Sequence, residues 1–274
     1  MTEFSTTTRM THRPSPRPGL TLCLIIDEGY AIGARALMRS LHFHHDIADV
    51  PLVVLSATPL SAAACQSILR VHGNTRFMLA DSALYGDCRF TAHRQWKLTP
   101  ALRYELFRLA VPGQLLYLDV DILITGDITP LLDFRGALGA CRMPPNEGME
   151  IKAIGGFNSG ILSLDKTHRN PQTWARIVDL AQAQPWSGNQ TVINLFFGQH
   201  YADIGMEFNM PSSHVTEANI ASTRAIHYVG KKKPWDEDAQ FGEHQLRIAG
   251  PEMCERLLQM WRHFSDDAVS GVQA

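Results

Sequence analysis

Short apolar runs alternate with stretches of helical periodicity along most of the chain. The apolar runs span residues 20–26, 51–55, 76–79, 115–118, 161–164 and 224–229. Apolar residues spaced for one face of a helix recur over residues 31–41, 61–71, 98–110, 171–183, 189–197 and 251–264. Continuous apolar runs of this length are typical of strands buried on both faces. The alternation therefore predicts an α/β fold, with helices layered on a central sheet.

The composition is that of a globular protein with a sizeable core. The 274 residues are 45% hydrophobic and 19% charged, and the formal net charge is −2. This length suits one large domain. Because the chain has neither a basic excess nor a stripe of lysine and arginine with interleaved aromatics, it lacks the electrostatic pattern of a nucleic-acid-binding protein.

The cysteines and the N-terminal segment bear on the compartment. Five scattered cysteines with no CxxC pair argue against a disulfide framework or a zinc site and favour a reducing compartment. Residues 1–19 are rich in Thr, Ser, Arg and Pro and lack the apolar core of a signal peptide, so they predict a disordered tail. No segment approaches the ~18 apolar residues that span a bilayer. We therefore expect a cytoplasmic protein.

Two acidic residues lie where an apolar run ends. Asp119 and Asp121 follow Leu-Leu-Tyr-Leu and precede Ile-Leu-Ile. Two residues apart on an extended segment, their side chains are expected to point the same way, so both could bind one divalent cation. The alternative is a pair of capping acids at a strand end. Asp236 and Asp238 have the same spacing in a polar run, and we interpret that pair as a solvated face.

A second candidate segment follows the apolar run at residues 224–229. His227 could complete a metal site with the two aspartates, and Lys233 could pair with a phosphate. Gly230 permits a ligand to approach the backbone closely. The alternatives are a buried core histidine and a solvated lysine loop.

Taken together, these segments resemble the family 8 glycosyltransferases over roughly residues 22–235. The Ile-Ile-Asp-Glu-Gly-Tyr segment is similar to the family's first strand and uracil-binding turn, which implies that Asp27 hydrogen-bonds the uracil and Tyr30 stacks on it. The Tyr-Leu-Asp-Val-Asp segment resembles the family's acidic motif and implies that Asp119 and Asp121 bind Mn²⁺ or Mg²⁺.

The later motifs of the resemblance follow in the same order. Gly-Phe-Asn-Ser-Gly is similar to the donor-sugar segment, which implies that Asn158 and Ser159 lie along the sugar. Phe-Asn-Met-Pro, at residues 208–211, resembles a further structural motif. His-Tyr-Val-Gly-Lys-Lys-Lys-Pro-Trp resembles the last motif and implies that His227 is the third metal ligand, with Gly230 and Lys233 on the diphosphate.

One position departs from the family, and one is ambiguous. The family often has Asp-Gln where this chain has Asn189 and Gln190, and an asparagine cannot act as a carboxylate nucleophile. Gln190 can still line the reacting face. The family's sugar-contacting arginine corresponds to Arg108 or Arg103, and we favour Arg108.

The resemblance implies a single GT-A, Rossmann-like domain with a mixed central sheet over residues 20–240, followed by a C-terminal helical extension at 241–274. It also implies a retaining transferase that moves a hexose, galactose or glucose, from a UDP-sugar to a hydroxyl of a saccharide or glycolipid acceptor. A non-catalytic or hydrolytic nucleotide-sugar binder and a DxD-type phosphatase remain alternatives. A sugar nucleotidyltransferase is disfavoured, because the turn after the first strand is acidic rather than glycine-rich and basic.

The C-terminal helical stretch has an apolar stripe with basic residues beside it. The stripe consists of Met253, Leu257, Leu258, Met260, Trp261 and Phe264. Such a stripe usually packs on its own domain. The alternative is peripheral contact with a bilayer surface, which a basic amphipathic helix can make.

Overall fold

The computed structural model describes residues 18–91, 99–143, 156–230, 232–236, 239, 241 and 243–266. The strands are β1 (Leu20–Ile25), β2 (Leu52–Ser56), β3 (Thr75–Leu79), β4 (Gln114–Leu118), β5 (Ile122–Ile124), β6 (Leu138–Arg142), β7 (Phe157–Leu164), β8 (Ala202–Asp203), β9 (Met210–Pro211) and β10 (Ala225–His227). Most of the predicted N-terminal tail, residues 1–17, lies outside the described residues.

Within the described residues the strands form two sheets. The larger sheet has the order β3-β2-β1-β4-β7-β6-β8, and the smaller one has the order β5-β10-β9. In the larger sheet β1 pairs in parallel with β2 and β4, whereas β7 pairs antiparallel with β4 and β6. The expected α/β fold with a mixed central sheet is therefore confirmed.

Five of the seven α-helices among the described residues lie close to segments that the periodicity predicts, whereas those at Thr129–Leu132 and Glu243–Ala249 were not predicted. The seven are α1 (Ala31–His44), α2 (Ala62–Leu69), α3 (Thr129–Leu132), α4 (Pro171–Ala183), α5 (Asn189–Phe197), α6 (Glu243–Ala249) and α7 (Pro251–Ser265). Two of them begin at side-chain caps, because the Ser61 Oγ accepts the Ala64 N–H at 3.1 Å and the Asn170 Oδ1 accepts the Thr173 N–H at 2.8 Å.

The segment predicted as a helix over residues 98–110 has a different geometry. It is a 3-10 helix, Thr99–Phe107, with three residues per turn in place of 3.6. The direction in which each of its side chains points therefore differs from that expected of an α-helix.

The central strands β2, β1 and β4 of the larger sheet are buried on both faces, which explains their continuous apolar runs. All six residues of β1 are buried. Leu22 and Leu24 pack with α1 and α2 on one face, whereas Cys23 and Ile25 pack with the 3-10 helix, α4 and α5 on the other. The carboxyl ends of β1 and β4 lie side by side, at the point where the order of the parallel strands reverses. In open α/β sheets this edge is where ligands bind.

Helix α7 packs on the smaller sheet. Met253, Leu257 and Trp261 are buried together with Tyr228, which directly follows β10. On the outer face Arg256 and Arg262 form ion pairs with Glu217 and Glu255. The interpretation of the apolar stripe as a packing surface is therefore confirmed. Among the residues described, no helix has the length and apolarity needed to traverse a bilayer.

A close contact joins α1 to two later parts of the chain. A Cβ at Gly33 would lie 2.7 Å from the Val120 carbonyl oxygen and 2.9 Å from the Trp235 ring. The Trp235 ring lies between those of Tyr30 and Trp261, at centroid distances of 5.2 and 5.3 Å. Glycine at this position therefore allows the start of α1, the turn at Val120 and the Trp235 loop to pack together.

This contact predicts an unusual outcome for Gly33→Ala. Within a helix, replacing glycine by alanine ordinarily stabilises by about 1 kcal/mol. At Gly33 we expect instead a loss of about 1–3 kcal/mol in the free energy of unfolding, because the methyl group overpacks the contact with Val120 and Trp235. Urea denaturation measures the difference.

Gly73→Ala provides the matched control, because a Cβ there meets no atom within 4 Å. Its free energy of unfolding should stay close to that of the wild type. Equal effects of the two substitutions would contradict the proposed overpacking.

Candidate active site

The two aspartates lie in a turn that connects the two sheets. Strand β4 ends at Leu118 and β5 begins at Ile122, so Asp119 and Asp121 are not on one extended segment as expected. The Asp119 N–H donates to the Gly160 carbonyl of β7 at 2.7 Å, and the Asp121 carbonyl accepts the Tyr228 N–H at 2.8 Å. Each aspartate is thus held by a different sheet, and the turn brings their side chains together.

His227 reaches the same point from β10. It lies opposite Ile122 in the antiparallel pairing of β10 with β5. Its Nε2 is 3.1 Å from the Asp121 Oδ1 and 3.8 Å from the Asp119 Oδ2. One ligand atom from each of the three residues lies within 4.8 Å of the others. Two carboxylate oxygens and an imidazole nitrogen so arranged fit a divalent cation such as Mn²⁺ or Mg²⁺.

A cationic side chain compensates each aspartate. The Arg103 guanidinium donates to the Asp119 carboxylate, and the Lys233 ammonium donates to the Asp121 carboxylate. Burial alone would raise the pKa of Asp121, but the interactions with His227 and Lys233 outweigh it and hold this pKa well below its usual range. Asp121 is therefore ionised at neutral pH although it is buried.

Arg103 connects the acidic turn to the predicted sugar-binding segments. Its Nη1 donates to the Ser159 Oγ at 2.6 Å and to the Asn189 Oδ1 at 3.3 Å, and its Nη2 donates to the Tyr117 hydroxyl at 3.1 Å. Burial would lower the pKa of Arg103, but the charge of Asp119 raises it above the ordinary value. Arg103 therefore holds a fixed positive charge beside the acidic turn.

The structure places Arg108, the arginine favoured from the sequence, in an ion pair with Glu105 and not with the acidic turn. Arg108 donates to both carboxylate oxygens of Glu105 at 2.7 and 2.8 Å, and its guanidinium lies 4.6 Å from the Trp174 ring centroid. In a helix with three residues per turn, side chains five residues apart point in different directions. Arg108 consequently faces a structural ion pair, and Arg103 faces the acidic turn.

The predicted sugar-binding residues differ in how deeply they are buried and in what they contact. Ser159 is fully buried and forms hydrogen bonds with Arg103 and Gln190. The Gln190 Oε1 accepts the Ser159 N–H at 3.0 Å and its hydroxyl at 3.3 Å. Asn158 is only partly buried, whereas Asn189 is 8% exposed. Ser159 therefore orients Arg103 and Gln190.

The predicted uracil-binding residues lie at the same edge of the sheet. Asp27 lies two residues after the end of β1, and Tyr30 is the last residue of the short 3-10 turn that follows. Burial, and then the negative charges of Asp121 and Asp27, raise the pKa of Tyr30. Tyr30 directly precedes α1, and Gly33 of that helix lies against the carbonyl of Val120, the residue between the two aspartates.

Lys233 lies in a loop that is closed by two hydrogen bonds to Asp236. Gly230 has a φ of 134°, a conformation that side-chain-bearing residues rarely adopt. The Asp236 carboxylate accepts the Lys233 N–H at 2.7 Å, and the Asp236 N–H donates to the Lys233 carbonyl at 3.0 Å. Asp236 is therefore not part of a solvated face but closes the lysine loop. Asp238 lies outside the described residues.

The sequence reasoning missed the role of Asp236, although one signal was present. An aspartate three residues from a backbone N–H that needs a partner is the spacing of a local side-chain cap. Because Asp236 and Asp238 have the same spacing as Asp119 and Asp121, we interpreted them as an acidic pair and not as a cap.

Comparison with known proteins places this geometry in a family. The sequence profile of Glycosyl transferase family 8 matches residues 21–239. The galactosyltransferase LgtC, solved in complex with donor and acceptor sugar analogs, superposes with a TM-score of 0.65 at 19% identity, over 88% of this chain and 95% of LgtC. The apo form of GlyE from Streptococcus pneumoniae superposes with a TM-score of 0.63 at 18% identity, over 93% of this chain and 60% of that one.

Sequence relatives agree with the structural ones. Glycosyltransferase GlyE of Streptococcus pneumoniae is 25% identical over 164 residues, which are 53% of this chain and 38% of GlyE. Glycosyltransferase GlyF of the same organism is 21% identical over 233 residues, which are 79% of this chain and 57% of GlyF. The chain thus matches between 38% and 57% of the length of these relatives.

The fold and the acidic turn together define a GT-A protein of the glycosyltransferase class. The profile match extends over most of the chain, and this protein belongs to glycosyl transferase family 8.

The packing of His227 predicts the outcome of Gly160→Ala. A Cβ at Gly160 would lie 2.9 Å from the His227 Nδ1 and 2.8 Å from the Asn158 Oδ1, and closer still to the imidazole Cε1. We expect the free energy of unfolding to fall by about 1–3 kcal/mol, because the methyl group overpacks the ring. We also expect the His227 ring resonances to shift in an NMR spectrum.

Gly86→Ala is the control, because Gly86 has right-handed helical angles and a Cβ there makes an ordinary 3.6 Å contact. It should leave the His227 resonances unchanged. Unshifted His227 resonances in the Gly160 variant would show that the ring does not pack on β7 in solution.

Proposed function

We propose that this protein is a metal-dependent glycosyltransferase that moves a hexose from a UDP-sugar to a hydroxyl of a saccharide or glycolipid acceptor. The observation that carries the proposal is the convergence of Asp119, Asp121 and His227 at the carboxyl end of β4, with Arg103 and Lys233 beside them. Membership of family 8 and the GT-A fold support the same reaction class.

The charges of the site suit joint binding of a metal and a diphosphate. The formal charges of Asp119, Asp121, Arg103 and Lys233 cancel. A divalent cation together with the dianionic diphosphate of a UDP-sugar leaves that balance unchanged, whereas either one alone would upset it by two charges. The proposal therefore implies that the donor and the metal bind as a pair.

The residues on the nucleotide side have distinct roles in this proposal. Tyr30 and Asp27 hold the uracil at the end of β1, and Lys233 and the backbone at Gly230 bind the diphosphate. When bound, the cation held by Asp119, Asp121 and His227 stabilises negative charge on the departing diphosphate. Lys233 shares this task because its ammonium is a point charge that phosphate oxygens can approach.

The residues on the sugar side orient the donor. Arg103, fixed by Asp119 and Ser159, directs its guanidinium toward the sugar, and Asn158 and Gln190 line the same region. Asn189 accepts a hydrogen bond from Arg103 and has no carboxylate. A mechanism in which the acceptor hydroxyl attacks on the face that the diphosphate leaves needs no nucleophile at this position. Such a mechanism retains the configuration of the anomeric carbon.

Asn189 also favours one alternative, a nucleotide-sugar binder that does not transfer.

Galactose and glucose are the donor sugars that we propose. LgtC, which superposes on most of the chain, is a galactosyltransferase, and this supports a hexose.

Donor binding provides the first test. We expect calorimetry to show binding of UDP, UDP-galactose or UDP-glucose in the presence of Mn²⁺ or Mg²⁺ but not of EDTA, and weaker binding of GDP-mannose. Asp121→Asn should weaken the metal-dependent binding about 100-fold or more, since even the outer partners of metal ligands are worth about 10- to 100-fold.

Asp179→Asn, on the exposed face of α4, is the matched control and should bind as the wild type does. Absence of nucleotide binding in the wild type would refute the proposal. Binding without release of UDP, with a panel of saccharide acceptors or with water, would favour the non-catalytic alternative.

The two arginines of the 3-10 helix should differ in their effects. Arg103→Lys is expected to lower the rate of UDP release about 100-fold, since it removes a forked donor beside the developing charge. Arg108→Lys should leave that rate close to wild type and should lower the free energy of unfolding by about 1–3 kcal/mol, because Glu105 loses a two-pronged partner.

Steady-state kinetics and urea denaturation of both variants measure these effects. A large loss of turnover in the Arg108 variant, with the Arg103 variant unaffected, would restore Arg108 as the arginine of the site.

A further inference from the structure

A line of hydrogen bonds leads from the backbone of β7 to the imidazole of His227. The Gly160 N–H donates to the Asn158 Oδ1 at 2.8 Å. The Asn209 Nδ2 donates to the same oxygen at 3.0 Å, and the Asn209 Oδ1 lies 2.9 Å from the His227 Nδ1. Asn209 is 3% exposed and His227 is 5% exposed, so the protein itself satisfies these groups.

The backbone N–H at the start of the line fixes the direction of every bond in it. A backbone N–H can only donate, so the atom of Asn158 that faces Gly160 is the carbonyl oxygen. The amide group of Asn209 that faces this oxygen must be the NH₂. The other end of the Asn209 amide is then an oxygen, which can only accept, so the His227 Nδ1 carries a proton.

The hydrogen bond between Nδ1 and Asn209 leaves the other ring nitrogen, Nε2, for the aspartates. Nε2 is the nitrogen that lies 3.1 Å from the Asp121 Oδ1. A cation held between Nε2 and the carboxylates would bind the Nε2 lone pair while Nδ1 keeps its proton on the Asn209 side.

Asn209 is held in place independently of the histidine. It lies between the 3-10 helix Met206–Phe208 and β9, and its N–H donates to the Met206 carbonyl at 3.0 Å. The next residue, Met210, pairs with Ile226 of β10. The backbone of Asn209 is therefore in register with the strand that carries His227.

We propose that Asn209 is a positioning residue that holds His227 in the tautomer with Nδ1 protonated and Nε2 directed at Asp119 and Asp121. Asn158 fixes the orientation of the Asn209 amide, and so takes part in the metal centre as well as in the proposed sugar site. The inference rests on the proposed metal site for its effect on affinity but not for the tautomer. Outer partners that orient a ligating histidine in this way typically change metal affinity about 10- to 100-fold.

The tautomer can be measured without any metal. In ¹⁵N NMR spectra of the metal-free full-length protein, we expect the His227 Nδ1 to carry a proton. Observation of the opposite tautomer in the wild type would overturn the proposal, and this measurement requires no variant that could fail to fold.

Two variants test the role of the Asn209 side chain. Asn209→Ala removes the acceptor, so we expect the His227 ring to lose its preference for a proton on Nδ1. Asn209→Asp keeps an oxygen opposite Nδ1 and should keep the tautomer. A wild-type tautomer in the alanine variant would show that another group holds the ring, which would also overturn the proposal.

Metal affinity provides the second readout. We expect Mn²⁺, titrated by calorimetry in the presence of UDP, to bind Asn209→Ala about 10- to 100-fold more weakly than the wild type. Asn170→Ala, which removes the cap of α4, is the control for a general loss of stability and should leave the affinity unchanged. Equal affinity in the wild type and Asn209→Ala would refute the positioning role.

Failure of the inference can be told from failure of the proposed function. A wild type that binds no Mn²⁺ but shows the expected tautomer would refute the metal-dependent transferase and would support the orientation of His227 by Asn209. A wild type that binds Mn²⁺ with the opposite tautomer would refute the inference alone.

Discussion

The candidate site depends on two carboxylates that are brought together at a turn shared by two sheets. Main-chain hydrogen bonds tie Asp119 to β7 and Asp121 to the residue that follows β10, so both positions are set by the sheets and not by the side chains. Two like charges this close and this poorly hydrated cannot both ionise without compensation. The protein supplies that compensation with Arg103 and Lys233, which explains why two cations from distant segments meet here.

The position of Arg103 depends in turn on hydrogen bonds in the interior of the fold. The 3-10 helix that carries it is held by the buried Glu105, which accepts hydrogen bonds from Arg108 and from the Tyr85 hydroxyl. Trp174 of α4 donates to the Tyr85 hydroxyl at 3.0 Å. Arg108 thus supports the segment from which Arg103 reaches the acidic turn, although it does not touch the site.

The sequence predicted the elements well wherever local chemistry determines them. The runs that became β1 and β4 are buried on both faces, so an apolar run suffices to identify them. Helices with a side-chain cap, such as the one that follows Asn170, begin where the pattern places them. Asp119, Asp121 and His227 could be proposed as a group because each lies beside an apolar run and because the segments resemble a family.

The remaining features of the site depend on side-chain direction, which spacing alone does not determine. Arg103 and Arg108 were indistinguishable until the geometry of their helix was known. Ser159 lies in a segment that resembles a sugar site, yet it is buried and its hydroxyl pairs with Arg103 and Gln190. The hydrogen bond between Asn209 and His227 joins two residues 18 positions apart, and no local pattern predicts it.

The contact of Gly33 with Val120 and Trp235 has a consequence for the choice of donor. Helix α1 begins next to Tyr30 and touches the residue between the two aspartates, so the ring and the carboxylates are fixed to the same rigid element. The separation between the Tyr30 ring and the two carboxylates is therefore constant. For the proposed donor, the sites for the base and for the diphosphate therefore keep a constant separation, which favours donors whose bridge between base and sugar has the matching length.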